Sequence, residues 1–439
     1  MKCSFVSDRT TTARPVRLVV LVLCFASLPV LARAQDQSAT AKLVSAQASG
    51  STKFTSAQVL VATGLQLGSQ VGRDDFQRGA DNLAKTGRFA SVQYRYADAE
   101  GGVRVEYQVT DAPSVRVDFD NFPWFTDDEL TAAVKASVPL FDGTAPETGS
   151  VLDDISDALQ LQIAKAGVHS TVSHALTTAP GTDDRVQQFR VDEETLDLAS
   201  LEFRDSLAQN DRSIHSQLSD IVGAKYSRSA LVLFEFEQVR PLYISRGFMR
   251  ATFGAPNVHV VTSAGHSAVA AVVPIDPGPV FTWRVPTWTG STVFSQLELA
   301  AMIPLHDGDV ADGMKIERGW QAVEDAYAAR GYLDVDLART PHFDEGAKSI
   351  SYAVSITEGP QYRMGKLVLT GLSNEGESRI RSAWKIPVGA VFNRSVYDDF
   401  LANGIKDAFS GLPFHYEKIG HFLQKDAANA TVDVLIDFQ

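Results

Sequence analysis

The chain has 439 residues, of which 44% are hydrophobic and 21% charged, and its formal net charge is −13 at pH 7. This length is too great for one hydrophobic core and favours several small domains, whereas the composition is ordinary for a soluble globular protein. The excess of acidic side chains argues against nucleic acid and anionic lipid head groups as main partners, because both carry negative charge.

Residues 1–34 have the features of a secretory signal peptide. Three arginines precede an apolar run over residues 18–32, and Ala32-Arg33-Ala34 forms a small-x-small cleavage site. We therefore expect the mature chain to begin near Gln35, with a short polar leader over residues 35–41. The alternative is an uncleaved inner-membrane anchor, although this run of 15 residues is shorter than the roughly 20 that span a bilayer.

The cysteine count limits the chemistry of the mature chain. Cys3 and Cys24 both lie in the predicted signal segment. We therefore expect no disulfide, no thiolate nucleophile and no cysteine-ligated metal in the mature protein. Removal of residues 1–34 takes away five of the 40 basic and one of the 53 acidic side chains, which leaves a formal charge of −17.

The first predicted domain, residues 42–113, follows a β-α-α-β-β plan. A weak strand precedes a helix that starts at Thr55, where Gln58 completes a capping box. A second helix ends at Gly87, and alternating patterns over residues 89–96 and 103–109 predict two strands.

The same plan recurs along the rest of the chain. Four further domains are predicted at residues 114–198, 199–279, 280–360 and 361–439. The capping-box start recurs at Thr126 with Glu129 and at Ser295 with Glu298. The first half of the third predicted domain is the least regular, whereas its second helix is strong. Acidic-then-proline sequences stand at three of the boundaries, and no long linker is predicted.

A glycine ends the second helix of each predicted domain, at intervals of 80, 80, 84 and 80 residues. The five glycines are Gly87, Gly167, Gly247, Gly331 and Gly411. Glycine adopts the left-handed conformation that ends a helix without the steric cost of a Cβ atom. An aromatic residue stands eleven positions earlier in four copies, and an apolar residue stands four positions earlier in all but one, where Asp407 replaces it. This spacing indicates an internal repeat, of which we interpret the glycines as structural markers.

The sequence contains no pattern typical of a catalytic or metal site. The nine histidines are scattered without a His-Glu-x-x-His motif, and Asp307-Gly308-Asp309 lacks the further ligands of a calcium loop. We therefore predict no enzyme activity, catalytic residue, metal, cofactor or small-molecule substrate. The alternative is a hydrolase or binding protein with a composite site between repeats, which requires polar side chains to converge where two domains meet. No such cluster is evident in the sequence.

The β-α-α-β-β unit of about 80 residues resembles the polypeptide-transport-associated (POTRA) domain. The segments that carry the resemblance are TGLQLGSQV and LAKTGRFASVQY in the first copy, with IPLHDGDV, YAARGYLDVDL and TEGPQY in the fourth. The first, fourth and fifth copies match well, the second moderately, and the third only in its second half. The resemblance implies an α+β fold of five tandem POTRA-like repeats in an extended array.

The resemblance also implies a function. In the POTRA family, tandem domains form the periplasmic arm of outer-membrane assembly factors and secretion pores, followed by a membrane β-barrel. We expect no barrel in this chain, because even eight strands need roughly 80 residues beyond the last repeat. The implied role is a non-enzymatic scaffold in the periplasm, associated with the outer membrane, that binds unfolded or extended polypeptide during outer-membrane protein assembly or transport and acts with a separate β-barrel partner. The alternative is a structural envelope protein that bridges partners in the periplasm, with its N-terminus as an anchor.

The edges of the sheets are predicted to carry this function. A three-stranded sheet covered by two helices on one face leaves edge strands with unpaired N–H and C=O groups, to which an extended peptide can add as another strand. In the family, the strand after the second helix is commonly this edge. The residues predicted to bind peptide are therefore Val92, Gln93, Tyr94, Arg95 and Tyr96 in the first copy and Val335, Asp336, Leu337 and Ala338 in the fourth.

Overall fold

The computed structural model describes residues 40–193, 195–263, 265–410 and 417–439. The predicted signal segment, most of the predicted leader and Gly411 lie outside the described residues. The described chain consists of helices and sheets in alternation, so the predicted α+β fold class is confirmed. For description we divide it into five units, each built around one main sheet.

Units 1 and 2 have the same order of elements. Unit 1 comprises β1 (Ala41–Ser49), α1 (Ser56–Thr63), β2 (Gln70–Val71), α2 (Arg73–Lys85), β3 (Phe89–Ala99) and β4 (Gly102–Asp111). Unit 2 comprises β5 (Val115–Phe119), α3 (Asp127–Ser137), β6 (Thr144–Ala145), α4 (Val151–Ala164), β7 (Val172–Thr178) and β8 (Arg185–Val191). Each sheet has four strands, because a two-residue strand between the helices pairs with the first strand.

Unit 3 departs most from this plan. It comprises β9 (Asp197–Phe203), α5 (Ser206–Gln209), α6 (Arg212–Leu218), α7 (Arg228–Phe234), a π-turn (Glu235–Val239), α8 (Arg240–Ile244), β10 (Thr252–Phe253), β11 (Asn257–Ser263), β12 (His266–Val273) and β13 (Ile275–Asp276). The first helix is divided into two short helices, in the half of the unit where the sequence pattern is least regular. The second helix, α7 to α8, is continuous through the π-turn.

Units 4 and 5 return to the common plan. Unit 4 comprises β14 (Thr282–Trp283), β15 (Thr287–Thr289), α9 (Gln296–Met302), α10 (Gly313–Ala329), β16 (Asp336–Asp344) and β17 (Ser349–Thr357). Its first strand is interrupted at Pro286, which has no N–H to donate to a ladder. Unit 5 comprises β18 (Arg363–Thr370), α11 (Asn374–Ala383), α12 (Arg394–Asp399), a π-turn (Phe400–Gly404), α13 (Ile405–Ala408), β19 (Ile419–Asp426) and β20 (Thr431–Phe438).

One pairing order is common to the main sheets. In each main sheet the first strand runs parallel to the last strand of that sheet, and an outer strand pairs with that last strand from its other side in antiparallel orientation. In unit 3 the last and outer strands are β12 and β11, because β10 and β13 form a separate two-stranded sheet. The sheet orders include β2-β1-β4-β3, β6-β5-β8-β7, β11-β12-β9 and β18-β20-β19. The strand after the second helix is therefore outermost. The predicted domain boundaries themselves stay a prediction.

The helices cover one face of each sheet. In β20, the alternate residues Val432, Val434, Ile436 and Phe438 are buried and the residues between them are partly exposed, as expected of a strand with one covered face. Each such side chain contributes roughly 1.5–3 kcal/mol when fully buried. Units 1 and 2 share one continuous hydrophobic cluster, whereas units 3, 4 and 5 each have their own.

The predicted helix starts are confirmed. Thr55 Oγ1 accepts a hydrogen bond from the Gln58 N–H at 3.3 Å, while Gln58 Oε1 accepts one from the Thr55 N–H at 2.9 Å. The same reciprocal box begins α3 at Thr126 and α9 at Ser295. These boxes satisfy N–H groups that have no partner within the helix.

Two residues of the repeat columns do not occupy the core. Phe236, at the aromatic position eleven residues before Gly247, is 41% exposed. Asp407, at the usually apolar position four residues before Gly411, is also exposed. Both belong to the second helices that contain a π-turn. A π-turn adds one residue to a turn, so later side chains are rotated relative to an α-helical register. In unit 3 the buried residues therefore step from Phe234 to Val239, and in unit 5 from Phe400 to Ile405.

Candidate functional site

The first predicted binding segment, Val92 to Tyr96, lies within β3 at the outside of the unit 1 sheet. Among the described residues β3 pairs only with β4, through ten residue pairs. Gln93 and Arg95 are exposed, and Arg95 Nη2 donates to Glu106 Oε2 of β4 at 2.8 Å. The outer backbone edge of this segment is thus unpaired along the predicted residues.

The other face of β3 is aromatic. Val92 and Tyr94 are half-buried against the unit 1 core, and Tyr94 Oη donates to Gln77 Oε1 of α2 at 3.2 Å. Tyr96 is 49% exposed, and its ring centroid is 5.1 Å from that of Phe76. A peptide strand that pairs with β3 would therefore have apolar neighbours on the face of the sheet that the helices cover and polar neighbours on the uncovered face.

The second predicted segment lies at the outside of the unit 4 sheet. Asp336, Leu337 and Ala338 begin β16, which pairs with β17 through nine residue pairs. Leu337 is 7% exposed and faces the unit 4 core, whereas Asp336 and Ala338 are exposed. The backbone of β16 has no strand on its outer side among the described residues.

The structure corrects the prediction for Val335, which lies outside the strand. The sequence predicts that Val335 belongs to the strand after the second helix, but the chain turns at Leu333 and Asp334. Leu333 packs against the hydrophobic cluster of unit 5, and Asp334 accepts a hydrogen bond from Tyr362 Oη at 2.5 Å. These contacts to the next unit hold the segment in a turn, so β16 begins only at Asp336.

Asp334 also forms an ion pair with Lys425 of β19. The hydrogen bonds from Lys425 and Tyr362 lower the pKa of the Asp334 carboxyl below its usual value. The same hydrogen bond to Asp334, with burial, raises the pKa of Tyr362 to about 12. The carboxylate and the phenol therefore keep these ionisation states at neutral pH and connect units 4 and 5.

The other three units also have an outermost strand after the second helix. These strands are β7, β11 and β19, each paired on one side with the last strand of its main sheet. Sequence reasoning did not select them as binding segments. Their position after the marker glycine is the signal by which they could have been found.

Three of the marker glycines contact the following unit. Gly87, Gly247 and Gly331 have φ values of 76°, 86° and 85°, in the left-handed region. A Cβ atom on Gly87 would lie 1.9 Å from the Thr148 carbonyl oxygen, and one on Gly331 would lie 2.8 Å from that of Tyr362. Gly167 also has a left-handed φ of 79°, but its Cβ position has no neighbour within 4 Å among the described residues. Gly411 lies outside the described residues.

A polar cluster connects units 2 and 3 instead. Asp120, which is 1% exposed, accepts hydrogen bonds from Ser227 Oγ at 3.0 Å and from the Ser229 N–H at 2.8 Å. Arg228 Nη1 donates to both carboxylate oxygens of Asp127 at 2.6 Å. No cluster of this kind is evident in the sequence, because its partners lie more than a hundred residues apart in the chain.

The charge state of this cluster follows from its surroundings. Burial is the largest influence on the Arg228 guanidinium and lowers its pKa, but the hydrogen bond and charge of Asp127 outweigh burial, so the pKa is raised above its ordinary value. The Arg228 guanidinium is therefore charged at neutral pH, and its contact with Asp127 is an ion pair. The cluster connects units 2 and 3 through these side-chain contacts.

The described part of the chain has neither a cluster of metal-ligating side chains nor a helix that could span a membrane. No group of three or more His, Cys, Asp or Glu side chains is arranged to hold a metal ion there. Nor does any helix of the described ranges have the length and apolar character needed to cross a membrane.

One segment of the chain matches a protein-family model. Residues 287–359 match the POTRA family model, described as a surface antigen variable number repeat. This segment covers unit 4 from β15 to the end of β17 and therefore includes the β16 edge.

A protein of Treponema pallidum (strain Nichols), whose name is that of an outer membrane protein assembly factor, is 28% identical over 167 residues. The match covers 38% of this chain and 20% of the relative, so the aligned part is about a fifth of the relative's length. Among solved structures, BamA POTRA3-5 from Haemophilus influenzae is 18% identical with a TM-score of 0.42, covering 57% of this chain and 99% of that chain. The N-terminal domain of Omp85 from Thermosynechococcus elongatus is 14% identical with a TM-score of 0.25, covering 56% and 98%.

Proposed function

Because residues 287–359 match the POTRA family model, we propose that the chain is a periplasmic scaffold that binds extended polypeptide during the assembly or transport of outer-membrane proteins. The observation that carries this proposal is the unpaired outer edge of β3 and of β16. The homology to an outer-membrane protein assembly factor supports the same assignment.

Binding is by addition of a strand. In an antiparallel edge strand, alternate residues direct their N–H and C=O groups away from the sheet. A client in extended conformation pairs with these groups through its own backbone, so affinity depends little on its sequence. This property suits a protein that must accept many different unfolded chains. The residues assigned to this role are Val92, Gln93, Tyr94, Arg95 and Tyr96 in β3, and Asp336, Leu337 and Ala338 in β16.

The proposed location is the periplasm next to the outer membrane, reached through a signal peptide at residues 1–34. A partner in the outer membrane completes the proposed pathway, because a scaffold that binds polypeptide must deliver it to a membrane site. The proposed activity requires no catalytic residue, cofactor or small-molecule substrate.

Photo-crosslinking in cells tests the proposal directly. Benzoylphenylalanine is placed at Gln93 in β3 or at Ala338 in β16, both of which are exposed. Gln321, exposed on α10, is the matched control in the same chain. We expect unfolded outer-membrane polypeptides to crosslink several-fold more at the two strand positions than at Gln321.

Equal crosslinking at all three positions would exclude strand addition. Crosslinks confined to folded envelope proteins would instead favour the alternative role, in which the repeats bridge partners in the periplasm.

A further inference from the structure

We propose a further polypeptide-binding site in the groove between units 2 and 3. It selects extended segments that carry basic side chains. The inference rests on the proposed function, because its ligand is also an extended polypeptide. The groove has a volume of about 650 Å³, within the range of roughly 300–1,000 Å³ that is typical of ligand sites.

One wall of the groove is an unpaired strand edge. Residues 255–260 line it, and they include the first part of β11. β11 pairs with β12 over seven residue pairs and is outermost in the order β11-β12-β9. The backbone on its outer side therefore offers hydrogen-bonding groups to a strand that enters the groove.

The opposite wall comes from unit 2 and consists of residues 123–129 at the start of α3. Trp124 and Phe125 are half-buried there, and Asp127, Asp128 and Glu129 are exposed. A client held against β11 would thus meet two aromatic rings and three carboxylates across the groove.

The charge of the groove favours a basic client. Among the described residues that line it, Arg228 alone carries a permanent positive charge, and Asp127 neutralises that charge with both oxygens. Hydrogen bonds from the Thr126 N–H and hydroxyl lower the pKa of Glu129, which therefore stays ionised. Asp128 and Glu129 leave the groove negative, and a lysine or arginine beside Trp124 would also gain a cation–π contact.

The two walls are held at a fixed separation before a client arrives. Arg228 binds Asp127 from across the junction, and Asp120 binds Ser227 and Ser229. A preformed groove loses less conformational entropy when it binds than two walls that must first come together. In this respect β11 differs from β3, where no wall from another unit has been identified among the described residues.

Single cysteines test the site in the full chain after replacement of its two cysteines, Cys3 and Cys24, by serine. A photo-crosslinker is attached at His259→Cys in β11, with Gln93→Cys and Gln321→Cys as comparison sites. The probes are two synthetic twelve-residue peptides with alternating apolar and charged residues, one with lysine and one with glutamate. We expect the lysine peptide to crosslink at position 259 at least fivefold more than the glutamate peptide.

Charge-reversal variants distinguish binding in the groove from attraction of the lysine peptide to the negative charge of the whole protein. Asp128→Lys should lower the preference for the lysine peptide at position 259 by about tenfold, since exposed charge pairs contribute up to about 1 kcal/mol each and a reversal replaces attraction by repulsion. The milder Asp128→Asn should lower it by about threefold. Asp325→Lys on α10 changes the net charge equally and should leave the preference unchanged.

The outcomes distinguish this inference from the proposed function. Crosslinking at position 93 without crosslinking at position 259, or equal loss from Asp128→Lys and Asp325→Lys, overturns the groove but leaves strand addition intact. Absence of crosslinking at both strand positions above the level at position 321 overturns both.

Discussion

The junction between units 2 and 3 differs in kind from the other three junctions. At the other three, the marker glycine lies so close to the next unit that a Cβ atom on it would overlap an atom there. Between units 2 and 3 the marker glycine, Gly167, touches nothing within 4 Å at its Cβ position, and charged side chains make the connection. The junctions thus differ in whether a marker glycine contacts the next unit, while ion pairs cross the glycine junctions as well, for example between Asp334 and Lys425.

Two of the glycine junctions, at Gly247 and Gly331, share one hydrogen bond. The Phe281 N–H donates to the Gly247 carbonyl at 2.8 Å, and the Tyr362 N–H donates to the Gly331 carbonyl at 2.8 Å. Both donors stand just before the first strand of the following unit. The glycine therefore ends a helix and fixes where the next unit begins, and its contact involves backbone atoms that salt cannot screen.

The polar junction depends on ionised side chains. Asp120 is buried and accepts its hydrogen bonds without solvent, whereas Asp127 is about half exposed in its pair with Arg228. Exposed ion pairs contribute little and weaken with salt, but a buried carboxylate that loses its partners is strongly destabilising. The junction between units 2 and 3 therefore depends on a buried carboxylate, whereas the glycine junctions have a backbone contact in addition to their ion pairs.

The largest expected effect tests the glycine junctions. Gly87→Ala places a Cβ 1.9 Å from the Thr148 carbonyl oxygen, in a left-handed conformation. The conformation alone costs roughly 1–2 kcal/mol, and the overlap should raise the total to about 3 kcal/mol or more. Hydrogen exchange should show lost protection in units 1 and 2, because a shared cluster couples them.

Gly167→Ala is the matched control for this change. It has the same conformational cost but no overlap, so we expect only roughly 1–2 kcal/mol of destabilisation. Equal losses at the two positions would mean that helix termination alone, and not contact with the next unit, explains the recurrent glycine.

The sequence predicts the local features of this comparison well. The capping boxes at Thr55, Thr126 and Ser295 and the left-handed glycines depend on residues within a few positions of one another. Strand alternation likewise locates β3 and most of the predicted segment in β16. Such features are encoded locally, so one chain suffices to find them.

Features that depend on two units were not predicted. The contact of Asp120 with Ser227 spans 107 residues, and no periodicity marks either residue. Val335 was wrong as a strand residue because Tyr362 and Lys425 of the next unit hold Asp334 in a turn. The π-turns were also missed, although the exposed Phe236 and the exceptional Asp407 are their consequences in the repeat columns.

A smaller effect should follow from breaking the polar junction. Asp120→Ala leaves the Ser227 hydroxyl and the Ser229 N–H without their buried acceptor, which should cost about 2 kcal/mol. Spin labels at Leu161→Cys in unit 2 and Ser263→Cys in unit 3, in the chain without its native cysteines, should show a broader distance distribution.

A label pair across units 4 and 5 provides the comparison. Its distance distribution should not change in Asp120→Ala, because the contact at Gly331 is separate from Asp120. If the distribution between units 2 and 3 stays as narrow as before, then apolar contacts, and not the carboxylate, hold that junction.

The smallest effect concerns pH and sharpens the comparison further. Burial raises the pKa of Glu235 to about 7, although Arg240 opposes the shift. Glu235 lies in the π-turn beside Phe236, whose ring lies against Gly181 of unit 2. The pKa of Glu235 in the folded state is above the ordinary value. Its contribution to the free energy of unfolding is therefore fully present below about pH 4.5 and is lost as the pH rises through about 7.

We expect unit 3 to lose about 1 kcal/mol between pH 5 and pH 8, after allowance for the partial exposure of Glu235. Hydrogen exchange over residues 228–244, corrected for the intrinsic effect of pH on exchange, measures this loss. Glu235→Gln should abolish the loss, whereas Glu237→Gln, at an exposed neighbouring position, should retain it. If the loss persists in Glu235→Gln, another group causes the pH response. The sensitivity of the junction between units 2 and 3 to solvent would then come from its charged pairs.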